Sequence, residues 1–348
     1  MNSDPNQSSV PPAVVNIAVT NVRDILTSAV EFTSDARAVI VADRCCDLAI
    51  SLSEAYRRCL PDAEFIDFES VDPAQVLAAF EGLVASDLVV LIQSTSFRLD
   101  KFRIRLELFK RSLKVIEHPH LARLTEDEAV IYIDSLAYDK SYYRGVGGAL
   151  KRLIDGADEI VVDSGGEQLV FPGGLEPAKL NVGDYRQLKN VGGQYPIGEV
   201  FTESKDLETV NGKVRIGFFG DRSFSVNKPA KPITLKVEGG QVVSATDSTM
   251  EFDQVLDDIR NDESVVWLRE LGFGMNRAFT CDRVVNDVGS FERMCGVHLS
   301  LGAKHASYNK ANIRKKSAWY HVDVFVITES VMVDGRVIYR DGGWTVEA

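Results

Sequence analysis

Between residues 14 and 155, short apolar runs alternate with stretches whose apolar positions recur every three or four residues. The runs Ala38–Ala42 (AVIVA), 64–68, 87–92 (DLVVLI), 114–117 and 129–134 predict strands, with a further one at 159–162 (EIVV). The intervening stretches predict helices over 21–32, 45–60, 73–83 and 101–113, and one more spanning 149–154. Asp43 is a candidate cap for the second of these. Asp72-Pro73 supplies a cap followed by proline at the first helical position. Strands and helices in alternation predict βαβ units, and hence a doubly wound α/β N-terminal domain with a mostly parallel sheet. No GxGxxG follows the first strand, so no dinucleotide site is inferred.

Past Asp163 the pattern changes. Glycine pairs at 165–166, 173–174, 192–193 and 239–240 separate short segments, among which 214–219, 233–238 and 241–245 read as strands. Glu238-Gly239-Gly240-Gln241 is a hairpin signal, and 251–261 predicts the one clear helix. Near the end, residues 319–327 alternate and are rich in Val, Phe and Tyr. His321 and Asp323 stand two apart in this run and so share one face of a strand. The division predicted is a disordered leader over 1–13, an α/β domain over 14–155, and a β-rich α+β metal-binding domain over 156–348.

Composition narrows the classes. A chain of 348 residues, 45% hydrophobic and 26% charged, can bury a large core without staples. A net charge of −12 argues against a general nucleic-acid partner. No run reaches the length of a membrane span, and the N-terminus lacks the basic and apolar regions of a secretory signal. Five cysteines without a CxxC pair suggest neither a disulfide framework nor a thiolate zinc site, and a reducing cytoplasm is the default. Cys295 has no local motif for an activated thiolate.

The chemistry-bearing residues are few. An imidazole and a carboxylate side by side, as in His321 and Asp323, form half of a divalent-metal site. Glu199 lies in YPIGEVFT, and Glu270 ends an apolar run before a glycine-rich loop in ELGFGMN. His298 lies in GVHLSLG, with His305 and then Tyr308 following it; a phenol beside a metal can bind it or donate to a developing oxyanion. His118 and His120, in EHPHLARL, read as structural rather than as ligands.

Taken in order, GEVFT, ELGxGxN, GxHxxLG with its tyrosine, HxD and a terminal DGxxxxxDG (334–342) resemble the thermophilic metallo-aminopeptidase family, which includes aminopeptidases T and S. The resemblance is densest over residues 184–343. It implies a homodimeric exopeptidase with two divalent ions (Zn, Co, Mn or Mg), acting on a small peptide or amide through metal-activated water. It assigns metal ligation to Glu199, Glu270, His298, His321 and Asp323, with Glu270 bridging the ions, and catalytic parts to Glu270 and Tyr308. One departure is Glu292-Arg293, where family members often carry an acidic pair. The chain also resembles 2,5-dihydroxypyridine 5,6-dioxygenase, a mononuclear Fe(II) ring-cleaving enzyme. That enzyme shares the HxD pair but has a histidine where Glu270 stands, so Glu270 favours the hydrolase. A binding protein with a degenerate site is the third reading.

Overall fold

The computed structural model describes residues 10–97, 104–303, 307, 308, 310 and 319–348. The chain forms two compact units, Met1–Lys140 with Gly183–Ile197, and Ser141–Val182 with Gly198–Ala348.

The first unit is built on a five-stranded parallel sheet. Its strands lie in the order Glu64–Asp67, Ala38–Ala42, Leu88–Ile92, Lys114–His118, Val191–Gln194. Every residue of Ala38–Ala42 and Leu88–Ile92 is buried. That is why these strands read as unbroken apolar runs: a parallel strand is covered on both faces. Val39, Val41, Val89 and Leu91 pack with Val76, Phe80 and Leu108 in a single core cluster.

Several expectations are corrected here. Residues 129–134 are helical, within Glu126–Ser135. A capping box between Thr125 and Glu128 starts that helix, and its acidic first turn suits the helix dipole. The first helix runs Pro12–Asp24 and continues as the wider turns of Ile25–Ala29, earlier than 21–32. Of the predicted leader, residues 1–9 lie outside the described residues, as do 101–103 of the predicted 101–113 helix; the described part of that helix is Ile104–Lys110. Asp43 does not cap its helix, whose N-cap is Cys46. Its carboxylate instead accepts from the Ser94 main-chain N–H and hydroxyl, joining two strand ends. The chain passes between the two units more than once. The helix Gly147–Asp155 belongs to the second unit, and Val191–Gln194 returns to pair with Lys114–His118 in the first.

The second unit is a 14-stranded sheet in which every pairing is antiparallel. The predicted segments fall in Asn211–Gly220, Ile233–Glu238 and Gln241–Thr246. Gly239 and Gly240 (φ 56° and 73°) make the turn between the last two, and the helix is Met250–Glu263. The molecule is thus mixed α/β, one parallel sheet and one large antiparallel sheet. No described helix is long and apolar enough to cross a membrane.

Candidate metal centre

Four neighbouring strands of the antiparallel sheet carry the candidate ligands. In spatial order they are Glu199–Glu203, Leu268–Gly274, Gly296–Gly302 and His321–Val326. Register decides what meets what. Glu199 pairs with Gly274, Gly272 with His298, Ser300 with Asp323, and Gly302 with His321. Directly paired residues share a face, as do residues two apart. Glu199, His298, Asp323 and His321 therefore rise from one surface of the sheet. The register slips between Leu268 and Leu271, and Glu270 sits in that bulge with its N–H on the Ser300 hydroxyl at 3.0 Å. Glu270 stands two residues from Gly272 and so shares its face, where the carboxylate meets His298.

The glycine of ELGFG has a spatial reason. A Cβ on Gly272 would lie 2.0 Å from His298 Cε1 and 2.1 Å from Nε2. The imidazole lies across the neighbouring strand in the space that any other residue would fill.

The resulting cluster is tight and buried. His298 Nε2 is 3.1 Å from Glu199 Oε1 and 3.4 Å from Glu270 Oε1. Ligating atoms of all three lie within 4.8 Å of one another. His321 Nε2 is 3.3 Å from Asp323 Oδ1, and its Nδ1 is 3.1 Å from the Ala303 carbonyl. Glu199, Glu270, His298 and Asp323 are buried, while the His321 side chain is 33% exposed and marks the open side. Arg293 is buried as well, with Nη1 3.1 Å from Glu199 Oε2 and in contact with Glu292 Oε1.

Electrostatics follow from that crowding. Desolvation works against a charge on His298, but its contacts with Glu199 and Glu270 and the charge of Asp323 hold its pKa well above the usual histidine value. His321 shows the same balance: burial opposes the charge, and the Asp323 carboxylate prevails and pushes it up to about 10. Glu292 goes the other way for an acid. Burial pushes it up to about 8, only partly offset by Arg293. Glu199 and Asp323 stay below the ordinary carboxylate range despite burial, Glu199 because of Arg293 and His298, Asp323 because of His321.

The donors fit a divalent cation. Glu270 Oε2, Asp323 Oδ1 and both ring nitrogens of His298 are buried without an aligned hydrogen-bond partner among the described residues. Ligands at about 2.0–2.2 Å from one ion stand about 3.0–3.5 Å apart. The separations of 3.1 and 3.4 Å around His298 Nε2 match that edge length. Carboxylates with imidazole suit Zn, Mn, Co or Fe(II) rather than Cu(I).

Tyr308 is tied to the main chain. Its hydroxyl donates to main-chain carbonyls, with Pro177 O at 3.0 Å and Phe201 O at 3.3 Å, and burial raises its pKa. It braces the strand that starts at Glu199, and the Glu270 charge adds to the effect of burial on its phenol. His305 lies outside the described residues. His118 is fully buried between Tyr56 and Tyr132, at 2.9 Å from each hydroxyl. Burial pushes the Cys295 thiol up to about 11, so it is no thiolate at neutral pH. Sequence reasoning gave no role to Arg293, or to the Arg269–Glu203 ion pair, 2.7 Å and fully buried, beside the bulge. The signal available for Arg293 was a cation three residues ahead of the strand that bears His298.

The chain thus has a two-part α/β fold with a candidate divalent-cation centre in its antiparallel unit. Two solved structures share the fold. One is 2,5-dihydroxypyridine dioxygenase from Pseudomonas putida KT2440, at 15% identity and a TM-score of 0.58, covering 97% of this chain and 99% of that one. The other is wild-type AmpT from Thermus thermophilus, at 15% identity and a TM-score of 0.57, covering 95% and 99%. Both are the likenesses read from the motifs, and at this identity they are likenesses of fold. No protein-family model and no curated protein sequence matches the chain.

Proposed function

We propose that the protein is a metal-dependent hydrolase of the aminopeptidase type, cleaving an N-terminal peptide bond or a similar small amide. The observation that carries this reading is Glu270. It places a carboxylate at the heart of the cluster, one oxygen 3.4 Å from His298 Nε2 and the other buried without a partner. Glu199, Glu270 and His298 would hold a divalent cation, with Asp323 buried beside them and His321 on the open side. A cation bound there supplies Lewis acidity toward a carbonyl oxygen and lowers the pKa of water.

The chain's own groups do the rest. The spare oxygen of Glu270 accepts a proton from the attacking water and returns it to the departing amine. The Asp323 carboxylate and the Ala303 carbonyl each face one nitrogen of His321, fixing its ring at the mouth of the site. The apolar strands beneath exclude water from the carboxylate side. A homodimer is part of the same reading, and a monomer by light scattering at micromolar concentration would remove that part.

The test is a panel of aminoacyl amides and short peptides, run with Co(II) or Mn(II) and with a chelator control. Chelator-sensitive release of an N-terminal residue is expected. A silent panel, together with oxygen uptake on a dihydroxylated aromatic ring with ferrous iron, overturns the hydrolase in favour of ring cleavage.

A further inference from the structure

The two oxygens of Glu199 face different cations. Oε1 is 3.1 Å from His298 Nε2, on the side of the candidate metal, and Oε2 is 3.1 Å from Arg293 Nη1. The same guanidinium touches the Glu292 carboxyl. Glu199 thus turns one oxygen to the candidate metal and the other to a guanidinium, which stands where a second ion would need to meet that oxygen.

Arg293 is also fixed in place. Its carbonyl accepts the Asn276 N–H at 2.9 Å, just past the strand that carries Glu270. That strand approaches so closely at Gly274 that a Cβ there would lie 1.8 Å from the Met294 carbonyl oxygen and 2.9 Å from that of Arg293. The Arg293 side chain is 8% exposed, so it has no solvent into which to withdraw. A guanidinium does not lose its proton in a protein, so its charge is as permanent as a metal ion's. Four carboxyl groups, Glu199, Glu270, Glu292 and Asp323, surround it in the cluster. Arg293 and one divalent cation together bring three positive charges against these four carboxyl groups. A second divalent cation would make a buried pocket positive and set three cations within a few ångströms, where low dielectric magnifies repulsion.

We propose that Arg293 takes the place of a second metal ion, so that each chain holds a single divalent cation, against Glu199, Glu270 and His298. This rests on the metal-centre reading above and changes its stoichiometry. Arg293 is then a positioning residue: it orients Glu199 so that one oxygen is presented to the metal.

The test counts metal without reference to turnover. Protein stripped by chelator is titrated with Mn(II), bound metal is measured by equilibrium dialysis, and the saturated protein is examined by electron paramagnetic resonance. One ion per chain with an uncoupled six-line spectrum is expected. Two ions with an exchange-coupled spectrum overturn the inference and leave the metal-centre reading standing; no bound ion overturns both. Arg293→Gln should admit a second, coupled ion. Because that change strands two buried carboxyl groups, the paired variant Glu292→Gln/Arg293→Gln serves if the single one does not fold. A folded variant that still takes one ion shows that Arg293 does not set the count, and sinks the proposal.

Discussion

Two buried histidines on strands of this protein came to opposite states. His118 ends a strand of the parallel sheet at 0% exposure, and His298 lies mid-strand in the antiparallel sheet at 1%. Around His118 the partners are neutral phenols. Tyr132 donates its hydroxyl proton to the Tyr195 carbonyl, so it accepts from His118 Nδ1–H, which leaves Nε2 to accept from Tyr56. Every valence is met by neutral groups, and burial pushes the pKa down to about 3. His298 has carboxylates for neighbours and no aligned hydrogen bond, and its pKa goes up. Burial is common to both. The chemistry of the partners separates a core histidine from a candidate ligand.

The comparison breaks most directly by deleting each ring. His298→Ala should abolish metal binding by calorimetry, a larger loss than the roughly 10–100-fold that follows removal of a ligand's hydrogen-bond partner. The circular dichroism spectrum should stay near native. Unchanged metal affinity would make His298 a core residue like His118. His118→Ala should do the reverse. It strands two buried phenols and costs about 2–4 kcal/mol, or roughly 5–15 °C in melting temperature, with metal uptake unaltered. Metal loss in that variant would contradict the separation drawn between the two rings.

Gly272→Ala sharpens the point with one methyl group. Its Cβ enters the space of the His298 ring, so metal affinity should fall about 10–100-fold while the sheet persists. Wild-type affinity would mean that the ring can shift without cost.

The smallest expected effect is on pH dependence. His118 is neutral in the fold down to about pH 3, whereas the unfolded chain takes up a proton near 6.5. Its contribution to stability is therefore complete above pH 6.5 and is lost as pH falls from there toward 3. Between pH 7 and pH 5, wild type should lose about 2 kcal/mol more than His118→Gln in urea unfolding. Parallel curves for the two proteins would show that His118 is not held neutral.

Much of the first unit could be read from the chain because its signals are local. AVIVA and LVVLI are buried on both faces, and the Asp72 main-chain N–H meets the Gln75 side chain just where a helix was expected to start. Residues 129–134 misled because AVIYI is apolar enough for a strand, while the Thr125–Glu128 box just before it specifies a helix. The strand Val191–Gln194 (VGGQ) has almost no side chains from which to read a period. The donor types of the site were legible as motifs. That the Tyr308 hydroxyl meets main-chain carbonyls was not, since Pro177 and Phe201 are more than a hundred residues away.

The sequence by itself determined element types, the faces that alternation sends inward, and the stock of carboxylates and imidazoles. Only the tertiary structure decided which of them meet. Alternation fixes the side on which a residue emerges, but not the strand that will lie beside it or the register of the pair. Glu199, Glu270, His298 and Asp323 converge through three registers between strands distant in sequence. Arg293 enters that cluster because Gly274 lets its main chain close against the same sheet. Burial then makes the charge of each group depend on the others.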